Sequence, residues 1–202
     1  MKWAKCNIGA TVPESYGLYF SWGNTDGHPA GAGYDFSQEV YDETPAAAIS
    51  ENIPLEEDAA RANLGDPWRM PTIEEFQELH DNCTHVWTTL NGVNGYLFTS
   101  NVNGNAIFLP AAGIYDGTTL KNRGLGGDYW SATFSDVTRA RNLYFNSSTI
   151  SPANFSERRY GFSVRAVQDS TPNRSIVPPI PEDEPKDEET PTEEDPKDKD
   201  ER

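Results

Sequence analysis

Cysteine, positive charge and long apolar runs are all scarce in this chain, and each shortage removes a class of protein. Among 202 residues only Cys6 and Cys83 carry thiols, too few for a disulfide framework, so a small stapled scaffold is excluded. The two either pair, as a surface-exposed protein would permit, or stay as two buried thiols. Pairing is the expectation, worth at most about 4.5 kcal/mol by loop entropy. Lys and Arg number 16 against 32 Asp and Glu, and a phosphate-tracking surface needs clustered cations, so nucleic acid is not expected as a partner. No apolar run approaches the ~18 residues of a spanning helix, which argues against membrane insertion. The N-terminus shows no signal peptide, because no charged segment leads into an apolar stretch. The opening "KWAKCNIGA" reads as strand almost at once, which fits a chain trimmed upstream.

Aromatic residues are missing from one region only. All five Trp, nine Tyr and nine Phe lie before residue 169, ample for a single core of ordinary domain size. Residues 169–202 are rich in Pro and charge, and 182–202 alone hold 12 acidic and 4 basic residues, half of the formal −16. Such a segment buries too little apolar surface to offset its ordering entropy. The expected organisation is one domain over 1–168 and a disordered acidic tail or linker over 169–202.

Within the domain, short apolar runs of period 2 alternate with Gly and Asn, which predicts strands joined by tight turns. Two helices interrupt them. "PLEEDAARANLG" predicts a helix from Pro54 to Gly65, with Glu56 and Glu57 at the positive end of its dipole. "PTIEEFQELHDNC" predicts another, opened by a Thr72–Glu75 capping box and burying Ile73, Phe76 and Leu79. Strands follow at "HVWTTL" and "GYLFTS", separated by "NGVN", then at "NAIFLPAAG", "DYWSAT", "ARNLYFN" and "YGFSVRAV". Gly23 to Pro54 reads as a long surface excursion, with a short helix at "DFSQEVY".

Residues able to carry chemistry are thin. "HDNCTH" brings His80, Cys83 and His85 close in sequence, but a closed zinc site needs four ligands, so no metal is assigned. "GLGG" at 124–127 lacks the Lys-Ser/Thr of a phosphate loop and reads as a turn. The sequons at Asn82, Asn146, Asn154 and Asn173 mark surface loops. Nothing combines a nucleophile, a base and an orienting group, so no catalytic residue and no cofactor are assigned and an enzyme is not expected.

The motifs "KWAKCNIGA", "YGLYFSWGN", "DAARANLGDPWRMPTIEEFQEL", "IFLPAAG", "GDYWSAT", "NLYFNSS" and "YGFSVRAV" resemble, in order, those of FISUMP-type (fibrobacter succinogenes major paralogous) domains, from Lys2 to Val167. The resemblance implies a C-type-lectin-like α+β fold: two helices plus a mainly antiparallel twisted sheet, followed by the disordered tail. A leading strand usual in that family is missing. Formylglycine-generating relatives use cysteines near their active sites, whereas Cys6 and Cys83 lie outside the late strands, so an oxidase is a remote alternative. Calcium lectins carry EPN or QPD and WND triplets where this chain has "ENIP" and "YWSAT", so the resemblance implies no calcium-dependent sugar site.

The segment Ala140 to Val167 is also similar to the variable regions of phage and bacterial display proteins diversified by a retroelement. In "ARNLYFN" period 2 predicts Leu143 and Phe145 inward, with Asn142, Tyr144 and Asn146 outward. Ser147, Ser148, Asn154, Phe155, Arg158 and Tyr160 extend that rim, and Tyr129 is a marginal contact. Tyr supplies rigid amphipathic area while Asn and Ser supply adaptable hydrogen bonds. The expected function is a non-enzymatic display module that binds a protein or glycan through residues 142–160, on a bacterial surface or a virion. A structural or assembly domain is the alternative.

Overall fold

Turn-forming residues cut the chain into short strands, and the computed structural model, which describes residues 2–39 and 52–168, follows those cuts. In chain order come β1 (Lys2–Trp3), β2 (Leu18–Tyr19), β3 (His28–Pro29), a 3₁₀ turn at Phe36–Gln38, α1 (Ala59–Leu64), β4 (Trp68–Arg69), α2 (Ile73–Asp81) and β5 (Cys83–Leu90). There follow β6 (Val93–Ser100), β7 (Ala106–Pro110), β8 (Ile114–Asp116), β9 (Thr119–Lys121), β10 (Gly126–Phe134), β11 (Arg139–Asn146), β12 (Thr149–Glu157) and β13 (Val167–Gln168). Among the described residues the strands form five separate sheets, ordered β1-β13-β4, β10-β11-β12, β2-β3, β5-β6-β7 and β8-β9, with every named pair antiparallel.

This overturns the expected α+β, C-type-lectin-like arrangement of two helices with one twisted sheet. The strands are divided among small sheets of two or three, and the helices are only six and nine residues long. The reason lies in the connections. "YGFSVRAV" makes no continuous ladder; it contributes single bridges, Phe20 to Phe162, Tyr115 to Gly161 and Tyr129 to Ser163, before pairing at Val167. "KWAKCNIGA" is strand only at Lys2–Trp3. β10 and β11 fall out of register between Trp130 and Phe134.

The helix expected from Pro54 starts only at Ala59. Asp58, which is buried, accepts from the backbone N–H of Ala60 (2.8 Å), Arg61 (2.9 Å) and Met70 (2.9 Å), so its carboxylate caps α1 and also ties down the strand beyond it. Glu56 and Glu57 sit in a turn before that cap, not in the first helical turn. At α2 the side-chain chemistry read from sequence is realised: Thr72 and Glu75 exchange both capping-box bonds, and Phe76 and Leu79 are buried. The β5–β6 turn is shorter than the four residues of "NGVN". Asn91 and Gly92 alone form it, both at positive φ (47° and 85°), the backbone hand that suits a two-residue hairpin.

Contacts group residues 1–172 into one unit, and the second unit, 173–202, lies outside the described residues, as does the tail expected from 169. Of the expected "DFSQEVY" helix, Val40 and Tyr41 lie outside the described residues; the described part holds only a 3₁₀ turn at Phe36–Gln38, capped by Asp35.

Apolar side chains gather into three clusters: one around Phe20, Trp22, Trp130 and Phe162, one around Phe76, Tyr96, Leu143 and Phe145, and a smaller one around Tyr19, Phe36 and Tyr115. Arg165, 0% exposed, runs between them. Its Nε donates to Asn7 Oδ1 (2.9 Å), Nη1 to the carbonyls of Lys5 (3.1 Å) and Ala4 (3.3 Å), and Nη2 to the carbonyl of Phe108 (3.0 Å). Asn7 Nδ2 in turn donates to Tyr16 O (2.9 Å) and the Tyr129 hydroxyl (3.2 Å), which donates to Pro110 O (2.7 Å). Replacing Arg165 by Met strands these acceptors in the interior, and we expect a loss of about 3–5 kcal/mol. Urea unfolding followed by tryptophan fluorescence reads it, and an unchanged midpoint would refute the clamp.

Candidate functional site

The sheet β10-β11-β12 is a meander whose two faces have different fates. Register places Tyr129 opposite Leu143 and Gly127 opposite Phe145, so these share one face. Leu143, Phe145 and Tyr129 pack with Phe76 and Leu79 of α2, which covers that face. Gly127 suits the position because a Cβ there would come within 2.7 Å of the Phe145 ring. This accounts for half of "GLGG": Gly126 and Gly127 open β10 where β11 approaches closely.

The opposite face carries Asp128, Trp130, Asn142, Tyr144 and Asn146, because Asp128 lies opposite Tyr144, Trp130 opposite Asn142 and Gly126 opposite Asn146. β12 adds Thr149 opposite Asn146, Ser151 opposite Tyr144 and Asn154 opposite Asn142. Between Ser151 and Asn154 the strand holds one residue more than its partner, a bulge at Pro152–Ala153. Proline cannot donate to the ladder, which is why the irregularity falls there. One half of this face is apolar: Trp130 stacks on Phe162 (4.1 Å), which stacks on Tyr160 (6.1 Å). The other half is polar and half-open.

The residues singled out from sequence divide accordingly. Tyr144, Asn146 and Asn154 are half-buried on the polar half, and Ser147 and Ser148 are exposed in the turn beyond. Asn146 is occupied: its Nδ2 donates to the Tyr144 hydroxyl (2.7 Å), while its Oδ1 accepts from Ser148 N (2.9 Å), Ser148 Oγ (2.9 Å) and Thr149 N (3.0 Å), so it shapes the β11–β12 turn. Tyr160 is half-buried against Phe162.

Four expectations need correction. Tyr129 is 0% exposed and belongs to the core network of Arg165, not to the rim. Asn142, expected outward, is also fully buried, because the Trp130 side of the sheet continues into the core. Arg158 is buried with its guanidinium over Trp22 (4.8 Å) and Phe134 (5.6 Å). Phe155 is exposed but points from the other face, opposite Arg141, with the guanidinium of Arg139 4.6 Å from its ring. The expected Cys6–Cys83 disulfide is also absent: both thiols are free.

Sequence reasoning missed Asp128, the first residue of the predicted strand "DYWSAT". It is 8% exposed, and its carboxylate accepts one hydrogen bond, from Asn142 Nδ2 at 2.8 Å. Burial outweighs that bond and pushes its pKa up to about 7. Asn142 Oδ1 is buried without a partner. A lone acid within an otherwise uncharged strand was the available clue, since unpaired acids are rarely buried.

Elsewhere, His80 and His85 stack at 4.8 Å and His80 Nδ1 lies 2.8 Å from Asp81 Oδ1, but no three His, Cys, Asp or Glu side chains converge on a metal-sized site among the described residues. No helix of the described residues is long and apolar enough to cross a membrane. No protein-family model, no curated protein and no solved structure matches the chain.

Two outcomes follow. Between the unfolded carboxyl pKa near 4 and the folded value of about 7, the folded state holds a proton on Asp128 that the unfolded state has lost. Stability therefore falls as pH rises across that window, by up to about 4 kcal/mol. Asp128→Asn should flatten this part of the pH profile in thermal melts from pH 4 to 8, and an unaltered slope would refute it. Thiol titration without reductant should find two reactive thiols in the unfolded chain, with Cys83 slower in the folded one because burial raises its pKa.

Proposed function

We infer that this protein is a non-enzymatic binding module, displayed on a bacterial surface or a virion, that recognises a protein or glycan through the polar half-open face of β10–β12. The observation that carries the reading is the division of labour across that sheet. One face packs on α2 through Tyr129, Leu143 and Phe145, while the other presents Tyr144, Ser151 and Asn154 beside the exposed Ser147–Ser148 turn. Ser151 and Asn154 make no side-chain hydrogen bond among the described residues, so their polar groups are available to a ligand. Such residues bind by area and adaptable hydrogen bonds, without needing a proton-transfer group. The resemblance to FISUMP-type domains and to retroelement-diversified display proteins supports the same reading, since diversification needs side chains that can change without disturbing a core.

Replacing Tyr144, Ser151 and Asn154 together by Ala should abolish capture on a glycan array and on immobilised bacterial cells, while the melting temperature moves by only a few degrees, as for surface substitutions. Retained capture would refute the reading. Clustered AAY codons at these positions in the coding DNA, beside a near-copy of the segment, would add the diversification mechanism.

A second reading, an assembly domain, draws on Phe155. An exposed aromatic ring with Arg139 and Arg141 over it has the composition of an interface anchor. Phe155→Ser should then shift the sedimentation coefficient of the protein at high concentration, and an unchanged profile would remove this alternative.

A further inference from the structure

The chain's first residues help to enclose a cleft that shares no residue with the β10–β12 face. Most of the segment 2–10 lines it, together with Leu64, the last residue of α1, and Trp68, the first of β4. The space is about 430 Å³, within the range that small-ligand sites occupy. Backbone bonds hold the surrounding chain in place. Ala4 N–H donates to Ala166 O (2.8 Å) and Ile8 N–H to Val164 O (3.0 Å), while Arg165 binds the carbonyls of Ala4 and Lys5 from the interior. Trp68 N–H donates to Gly65 O (2.9 Å), closing the turn that carries Leu64 and Trp68. A site fixed in this way needs little further ordering when a ligand arrives.

The lining combines open apolar surface with positive charge. Leu64 is 43% exposed and Trp68 is half-buried, so both keep apolar area that the core does not cover. Lys2 and Trp68 both pair with Gln168 in register, which puts their side chains on one face of the sheet β1-β13-β4. Lys2 and Lys5 are exposed, and neither makes an ion pair or a side-chain hydrogen bond among the described residues. Arg61, Arg69, Lys121, Arg139 and Arg159, by contrast, are each engaged by a carboxylate. In a chain with 32 acidic and 16 basic residues, two cations thus stand without a carboxylate beside uncovered apolar surface.

We propose that this cleft binds a small organic anion, a carboxylate carried on an apolar ring, with the ring against Leu64 and Trp68 and the carboxylate met by Lys2 and Lys5. The charge of the two free ammonium groups selects an anion, and the leucine and indole surface selects an apolar body. Larger partners fit less well. β1 and β4 are two residues long, too short for a peptide to add a strand beside the cleft. Two lysines are fewer than the roughly four to eight that hold a protein on an anionic lipid surface, and nucleic acid needs a longer basic track. The site is separate from the binding face inferred above and stands or falls without it.

The test uses the whole chain. Sodium naphthoate is titrated into 15N-labelled protein while the backbone amides of Lys5, Gly9, Ala10 and Leu64 are followed by NMR. Saturable shifts centred on these amides are expected, with a Kd of about 1 mM, as a rigid ligand of this size gives. Naphthamide, which keeps the ring without the charge, and acetate, which keeps the charge without the ring, should each bind at least about fivefold more weakly. Added salt should weaken naphthoate and leave naphthamide unchanged. Lys2→Met combined with Lys5→Met should weaken naphthoate about five- to tenfold, as loss of two exposed ion pairs does. Leu64→Glu, which replaces apolar wall by a like charge, should weaken it about tenfold or more.

No saturable shift at the cleft amides, equal affinity for naphthoate and naphthamide, or undiminished binding in both variants would overturn the proposal. Saturation by a short acidic peptide at concentrations where naphthoate shifts nothing would overturn it too, by assigning the cleft to a protein partner. Should the double lysine variant fail to fold, the Leu64→Glu titration decides alone, since Leu64 is exposed at the end of its helix.

Discussion

The fold depends on one buried cation that has no carboxylate partner. Arg165 makes no ion pair among the described residues; it is solvated instead, by the carbonyls of Ala4, Lys5 and Phe108 and by Asn7 Oδ1. Those acceptors come from segments that no continuous sheet joins, so the guanidinium does the work that a long strand ladder would do elsewhere. A guanidinium suits the task because it presents five donors in a fixed plane. Through Asn7 the same network reaches the Tyr129 hydroxyl, which makes strand β10 answerable to the chain's first residues.

That anchoring lets the β10–β12 meander serve two purposes. Its covered face is dense with aromatic and aliphatic contact, Tyr129 lying 5.9 Å from Phe145 and Phe145 lying 5.4 Å from Tyr96. The other face grades from the Trp130–Phe162 stack into half-open polar side chains. Polar residues at the margin of a core cost little when their bonds are met locally, as those of Asn146 are within its own turn. Asp128 and Asn142 sit one step further in, where the bond from Asn142 Nδ2 to the Asp128 carboxylate is the one side-chain hydrogen bond the pair makes among the described residues.

The candidate site was legible in part. Alternation along "ARNLYFN" correctly put Leu143 and Phe145 inside, because period 2 holds for any strand. It failed for Asn142. A strand covered on both sides at one end and on one side at the other still alternates, so alternation cannot reveal which outward positions a second cluster will cover. Phe155 was misplaced for a related reason: the bulge at Pro152–Ala153 shifts every later residue of β12 by one, and so exchanges their faces relative to a regular strand. Arg158 reads as a surface residue by type, but its guanidinium lies within 4.8 Å of the Trp22 ring and 5.6 Å of the Phe134 ring, which shield it.

What the sequence by itself determined is the local grammar. The Thr72–Glu75 capping box, a hairpin turn within "NGVN" and the short strands between glycines are set by interactions spanning a few residues, which the sequence displays directly. Tertiary structure alone decided how those strands were shared among five small sheets, why Asp58 delayed the first helix until Ala59, and which polar side chains of β10 and β11 were buried. These outcomes rest on partners far apart in the chain: Arg165 with Asn7, Asp58 with Met70, Asp128 with Asn142. Burial and hydrogen bonding between distant residues depend on the closed chain, and no local pattern encodes them.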